Sequence, residues 1–277
     1  MQCNSDINVW APDNEVPTTI RGHSNNVTKV INFNDKFMIS GDQDGRVLCW
    51  NLESGSASRP VGVYKLPIGV QALACNSQFV YAGSADMNVM QFSMGENGLE
   101  SVGELKKKHS SVFQMIATET MVYTLYTDKS IQILKADDIH QMVAENKTAG
   151  EIVCMALAGS QLWLSDTKGL VHILNADTLK AEEGDEIKTV YGHPAVSMAS
   201  SADGSLVTFG DTKGYVTLYD VASRSQKCYF ALHQNKVLET RFTSDNRVAT
   251  IGFDKLLCVG NIDDQKGIKL SCPNGAA

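Results

Sequence analysis

Ser40-Gly41-Asp42-Gln43-Asp44-Gly45-Arg46-Val47-Leu48-Cys49-Trp50 decides how the rest of the chain is read. It holds a strand, a tight turn ending in glycine, and a second strand; glycine suits the turn because it accepts left-handed backbone at little cost. The pattern returns as Ala82-Gly83-Ser84-Ala85-Asp86-Met87, running on to Phe92, and again around Asp128, Lys168, Lys213 and Asp254. Counted from Asp44, the successive intervals are 42, 42, 40, 45 and 41 residues. Asp166-Thr167-Lys168-Gly169 and Asp211-Thr212-Lys213-Gly214 are near copies of each other. A second marker keeps the same beat: His23, His109, His193 and His233 each precede an alternating apolar stretch, such as Val27-Thr28-Lys29-Val30 or Val237-Leu238-Glu239-Thr240. Side chains alternate across a pleated strand, so this alternation describes half-buried strands. Helical periodicity is limited to a hint of one turn over 138–146.

A repeat of this length holds three or four short strands and cannot bury both of its faces alone. It must stack on its neighbours, and radial stacking gives a propeller. The spacing predicts an all-β chain with six complete four-stranded blades, in a single domain spanning 1–277. Residues 6–20 are expected to supply the third and fourth strands of a partial N-terminal blade. After a strand over 256–262, Gly267-Ile268-Lys269-Leu270 is enough for one outer strand. The ring is expected to be six-bladed or an incomplete ring of seven, with the gapped form favoured. A gap would expose a strand edge, which invites pairing with another chain.

Composition narrows the function classes. The longest apolar runs fall short of the roughly 18 residues needed to cross a bilayer, and Met1-Gln2-Cys3-Asn4-Ser5-Asp6 has neither the basic flank nor the apolar stretch of a secretory signal. A formal net charge of -7 argues against a nucleic-acid partner. The seven cysteines, Cys3, Cys49, Cys75, Cys154, Cys228, Cys258 and Cys272, form no CxxC pair. Several sit inside apolar runs and read as small buried hydrophobes, which points to a reducing compartment and hence the cytoplasm.

Several motifs resemble the WD-repeat family. Gly22-His23 matches that family's GH, Trp50-Asn51 stands where WD is expected, and Tyr219-Asp220 is a looser copy. The resemblance implies a buried polar chain in each blade, running from the GH histidine through a Ser or Thr on the second strand and the turn Asp to the Trp. In the first blade it would be a structural tetrad of His23, Ser40, Asp44 and Trp50. The third repeat offers His109, Thr124 and Asp128 without a Trp, and the sixth offers His233, Thr250 and Asp254 with Gly260 at the Trp position. The fourth and fifth carry Lys168 and Lys213 in place of the Asp, so the chain should be broken there.

Asp6-Ile7-Asn8-Val9-Trp10, then Ile20-Arg21-Gly22-His23 through Trp50-Asn51, are similar to the opening of the second propeller of the actin-interacting protein 1 family. Weaker similarity runs through Gly214-Tyr215-Val216-Thr217-Leu218-Tyr219-Asp220-Val221-Ala222 to Ala249-Thr250-Ile251-Gly252. That resemblance implies a protein of the cytoplasm and its actin cytoskeleton that binds actin and cofilin and promotes filament disassembly. A generic scaffold or adaptor, in signalling or ubiquitin transfer, is the alternative.

No GxSxG, P-loop, GxGxxG, HExxH or EF-hand pattern is present, and repeating His and Asp residues spaced one per blade do not converge. His140 and His172 lack a carboxylate or cysteine at ligand spacing. The sequence therefore points to a protein-binding function with no catalytic residues, cofactor, metal, small-molecule substrate, nucleic acid or membrane. The loop charges divide into two sets. Lys106, Lys107, Lys108, Lys129, Lys168, Lys213 and Lys255, with Lys236, fall in loops before first strands and between second and third strands. Asp137, Asp138, Glu182, Glu183, Asp185, Glu186, Asp203, Asp245, Asp263 and Asp264 fall in the opposite loops. The first set is the expected partner-binding face, since complementary fields steer encounter; solvated loops are the plain alternative.

Overall fold

Runs such as Ile39 to Asp42 and Arg46 to Asn51 pair because their apolar side chains can be covered on both faces of the sheet only by neighbouring sheets. The structure is a computed structural model that describes residues 5–9, 18–34, 36–52, 59–86, 88–95, 98–106, 110–244, 247–260 and 267–271; for 182–185 and 267–271 it describes the backbone. Two units result, Met1–Lys147 and Thr148–Ala277.

The first unit begins with a two-stranded antiparallel sheet of β1 (Asp6–Val9) and β2 (Thr18–Arg21). Three four-stranded meanders follow. The first contains β3 (Val27–Phe33), β4 (Phe37–Asp42), β5 (Arg46–Asn51) and β6 (Gly62–Lys65). The second contains β7 (Val70–Cys75), β8 (Phe79–Ser84), β9 (Asn88–Gly95) and β10 (Gly98–Lys106). The third contains β11 (Val112–Ala117), β12 (Met121–Tyr126), β13 (Ser130–Lys135) and β14 (Met142–Lys147).

The second unit repeats the plan three times. Its sheets are β15 (Ile152–Ala158), β16 (Gln161–Asp166), β17 (Leu170–Asn175) and β18 (Ala181–Lys188); β19 (Ala195–Ser200), β20 (Leu206–Asp211), β21 (Tyr215–Asp220) and β22 (Ser225–Ala231); and β23 (Val237–Phe242), β24 (Val248–Gly252), β25 (Leu256–Gly260) and β26 (Gly267–Ser271). The partial leading blade and the six complete blades thus match the expected plan.

One expectation fails locally. Residues 142–147, inside the stretch that hinted at a helical turn, form β14 and pair with β13. The hint came from Met, Ala, Glu and Lys, all good helix formers, on a mostly exposed outer strand where apolar alternation is weak. Asp138 instead caps a turn, accepting from the backbone N–H of His140 at 3.0 Å and from Gln141 Nε2 at 3.0 Å. Among the described residues the helical element is a single 3-10 turn at Val190–Gly192.

The cores lie between successive sheets. Ile39, Val47, Cys49 and Phe33 pack with Val70, Leu73, Val80, Met90 and Phe92. Trp163, Val171 and Ile173 pack with Met198, Val207, Phe209 and Tyr219 in the second unit. A recurring device sets the spacing. A Cβ on Gly41, Gly83 or Gly210 would lie 2.5, 2.3 or 2.4 Å from a Cγ1 of Val70, Val112 or Val237. The glycine on each second strand therefore admits the valine that opens the next first strand.

Candidate functional site

Loops that could meet a partner must first be held still, and buried polar chains do this. In the first complete sheet the Trp50 indole N–H donates to Ser40 Oγ at 2.7 Å, and Ser40 Oγ lies 2.6 Å from His23 Nε2. His23 Nδ1 lies 2.7 Å from Asp42 Oδ2, with both side chains fully buried. A single proton arrangement satisfies every group: Trp50 donates to Ser40, Ser40 donates to Nε2, and Nδ1–H donates to the Asp42 carboxylate. Asp42 Oδ1 then accepts the backbone N–H groups of Asp44 at 3.0 Å and Arg46 at 2.8 Å, fixing the turn.

The acid of this chain is Asp42, not Asp44 as expected from the resemblance. Ser40 and Asp42 are two residues apart on β4 and so share a face, whereas Asp44 lies beyond the strand, in the turn. Asp44 turns to the preceding loop, accepting from Asn25 Nδ2 at 2.8 Å and Ser24 Oγ at 3.2 Å. The Asn25 bond, opposed by partial burial, lowers its carboxyl below the ordinary value. Asp44 is half-buried and its backbone carbonyl accepts from the Lys65 ammonium.

The chain is incomplete in the fourth and fifth blades, as expected, but the acid is not what is missing. Asp166 and Asp211 occupy the position of Asp42, two residues before Lys168 and Lys213. Asp211 Oδ1 accepts from the N–H groups of Lys213 at 2.8 Å and Tyr215 at 2.9 Å, and Oδ2 lies 3.3 Å from His193 Nδ1. There the chain stops at the His–Asp pair, because Phe209 stands where Ser40 does. Asp166 caps its turn in the same way and meets His172 Nε2 at 3.2 Å. His172 Nδ1 lies 3.1 Å from Glu186 Oε1, so this histidine has two carboxylate neighbours that its sequence context did not reveal. In the sixth blade His233 Nε2 is 2.9 Å from Thr250 Oγ1 and Nδ1 is 2.9 Å from Asp254 Oδ1. In the third, Thr124 is buried, and His109 lies outside the described residues.

The candidate lysines separate into distinct situations. Lys107 and Lys108 lie outside the described residues. Lys106 ends β10 and pairs with Glu104 at 3.1 Å, so its charge is partly answered on its own strand. Lys129 and Lys255 take the left-handed turn position that Gly45 fills elsewhere, with φ of 72° and 66°. Lys168 and Lys213 sit one residue earlier, before Gly169 and Gly214. In the second unit Lys168, Lys213 and Lys255 lie in second-to-third-strand turns at one end of the three sheets, and exposed Lys188 joins them at the end of β18. Among the described residues, Lys168, Lys188 and Lys213 lie in no ion pair.

The acidic loop residues are largely turn caps. Asp203 accepts from Ser201 Oγ at 2.6 Å and from the Ser205 N–H at 3.0 Å and hydroxyl at 2.8 Å; the Ser201 bond leads in lowering its carboxyl to about 2. Glu186 lies on β18 rather than in a loop. Asp245, Asp263 and Asp264 lie outside the described residues, as do the side chains of Glu182, Glu183 and Asp185. Among the described residues no three His, Cys, Asp or Glu side chains gather as a metal site. No described helix is long and apolar enough to cross a membrane.

Comparison with known proteins agrees with this architecture. Residues 14–51 match the family described as WD40: WD domain, G-beta repeat. The chain is 26% identical over 202 residues, 68% of its length, to the WD repeat-containing protein 91 homolog of Dictyostelium discoideum, and covers 25% of that protein. It is 24% identical over 259 residues, 89% of its length, to the 66 kDa stress protein of Physarum polycephalum, covering 41% of it. The chain thus spans a quarter to two-fifths of the curated relatives it matches. Among solved structures, the WD40 beta propeller domain of Doa1 superposes with a TM-score of 0.76 at 12% identity, over 92% of this chain and 86% of that one. Sqt1 of Saccharomyces cerevisiae gives 0.76 at 14% identity, over 96% and 80%. Among the described residues the fold is a β-propeller of six four-stranded blades, preceded by the two-stranded β1–β2 sheet.

Proposed function

We propose that this WD40-repeat propeller is a protein-binding module whose loops before first strands and between second and third strands form the docking side. The observation that carries the reading is the pairing of rigid turns with unanswered charge. Asp166 and Asp211 pin the backbone of their turns while Lys168 and Lys213 extend into solvent without an acidic partner among the described residues. A lone exposed lysine contributes little, but several on one side set a field that steers an acidic partner and weakens with salt. The five described free cysteines suit work in the cytoplasm.

The finer reading is an actin-interacting protein 1-like activity, in which the partners are actin and cofilin and the outcome is filament disassembly. It rests on the resemblance of 6–51 and 214–252 to that family. Co-sedimentation with bare and cofilin-decorated filaments tests it. Binding to decorated filaments that weakens with salt, and that Lys168→Glu with Lys213→Glu slows, is the expected result. Binding to neither filament discards the actin reading and leaves the scaffold or adaptor alternative.

A further inference from the structure

The second unit carries an exposed aromatic cluster that the buried chains do not need. Tyr191, from the loop between β18 and β19, is 66% exposed, and Tyr229, on the outer strand β22, is 46% exposed. Tyr215, which opens β21, completes a triangle with them. Ring centroids are 5.5 Å apart for Tyr191 and Tyr215, 6.3 Å for Tyr215 and Tyr229, and 6.4 Å for Tyr191 and Tyr229. His193 extends the cluster, 6.0 Å from Tyr191 and 6.3 Å from Tyr215. Apolar rings left this open to water on a folded surface mark an interaction site more often than chance exposure does.

Two further observations point to a binding role. Tyr191 holds a left-handed backbone, φ 58° and ψ 8°, which costs a non-glycine residue about 1 kcal/mol or more. Its ring is kept outward at that cost, and a hydrogen bond with Tyr229 leads in raising its phenol above the ordinary value. The loop that carries it is also pinned. Thr189 Oγ1 lies 2.9 Å from the Gly169 carbonyl and 2.6 Å from the His193 carbonyl, and His193 is tied to Asp211. The aromatic surface is therefore presented ready-made, with little ordering left to do on binding.

Charge decides the occupant. Lys168, Lys188 and Lys213 rim the cluster. A Cβ on Gly192 would lie 3.4 Å from Lys188 Cε, a Cβ on Gly169 would lie 2.3 Å from the Gly192 carbonyl oxygen, and Lys213 is two residues before Tyr215. A cationic ligand is disfavoured by this rim of like charge. Single-stranded nucleic acid would want open, stackable ring faces, but Tyr191 and Tyr229 meet edge-on, at 88°. A net charge of -7 over the chain further opposes a polyanion as long as a nucleic acid.

We infer that Tyr191, Tyr215 and Tyr229, rimmed by Lys168, Lys188 and Lys213, form a docking site for an acidic peptide segment of a protein partner, anchored by an aromatic or aliphatic side chain. This rests on the protein-binding reading and names the chemistry of one partner. The anchor would cover the tyrosine rings, and the flanking carboxylates would meet the lysines.

The test is selection from a phage-displayed library of random peptides on the full chain, with parallel selection on the Tyr191→Ser/Tyr229→Ser double variant. Circular dichroism and melting first check that the variant folds; if it does not, Lys188→Glu/Lys213→Glu takes its place. Enrichment of acidic peptides with an aromatic or aliphatic residue, binding the variant about tenfold more weakly or worse, is the expected outcome. Peptides that bind both proteins equally overturn this site while leaving the protein-binding reading intact. No enrichment on the wild-type chain overturns the inference. Fluorescently labelled oligothymidylate and a polyuridine oligomer are titrated in parallel; binding lost in Lys188→Glu/Lys213→Glu would reassign the surface to single-stranded nucleic acid.

Discussion

The first and last complete blades solve one problem with different acids. Both bury a histidine from the preceding loop against a hydroxyl on the second strand, Ser40 or Thr250. In the first, the carboxylate comes from Asp42, at the end of that strand; in the last, it comes from Asp254, in the turn. The residue that decides is the one aligned with Asp42, which in the last blade is Gly252. Its missing side chain leaves the room that Asp254 uses, since a Cβ there would lie 2.3 Å from His233 Nδ1 and 2.4 Å from Asp254 Oδ1. The two carboxylate positions are thus interchangeable ways to hold the same histidine. A second difference lies beyond the hydroxyl: Trp50 donates to Ser40, whereas Gly260 occupies the Trp position in the last blade.

The largest effect should come from Trp50. Its ring is fully buried with Ile7, Ile20, Met38 and Leu48, so Trp50→Ala removes both that packing and the donor to Ser40. We expect a loss of about 3–5 kcal/mol in a urea unfolding curve. A loss below that of Asp42→Ala would show that the indole is dispensable to the first blade. Next comes Gly252→Ala. The added methyl must push His233 or Asp254 aside, at a cost of about 1–3 kcal/mol; an unchanged midpoint would mean that the space at 252 does not select the acid.

The smallest effect concerns acid. Burial pushes the Asp254 carboxyl up, but the bonds from the Gln234 N–H, His233 and the Leu256 N–H outweigh it and leave the group below its ordinary value. A depressed folded value stabilises the fold above the unfolded value and loses that contribution as pH falls through the folded one. Stability should therefore decline below about pH 4, and Asp254→Asn should flatten that decline. Parallel acid limbs for the two proteins would remove Asp254 from this role.

Much of this was legible in the sequence, and what was missed has physical causes. The repeat shows because each blade must spend residues on the same turn and alternation. The chain of His23, Ser40 and Trp50 shows because Ser40 and Trp50 occupy fixed strand positions and His23 a fixed place in the loop before the first strand. The acid was misplaced because Asp42 and Asp44 both fit the spacing, and only strand alternation separates them. The same error hid Asp166 and Asp211 behind Lys168 and Lys213. Residues 142–147 looked helical because an exposed outer strand need not alternate. The Tyr191, Tyr215 and Tyr229 cluster could not be read at all, since it joins a loop and two different strands that come together only after folding.

The most direct test of the account is a comparison of Asp42→Ala with Asp44→Ala in urea unfolding. Asp42 is fully buried, bonded to His23 and to two turn N–H groups, so its loss leaves the histidine proton and those donors unanswered. We expect Asp42→Ala to cost about 1–3 kcal/mol, perturbing the first blade, and Asp44→Ala to stay within about 0.5 kcal/mol of wild type. The reverse order, with Asp44 the costlier loss, would contradict the assignment of Asp42 as the acid that holds the blade.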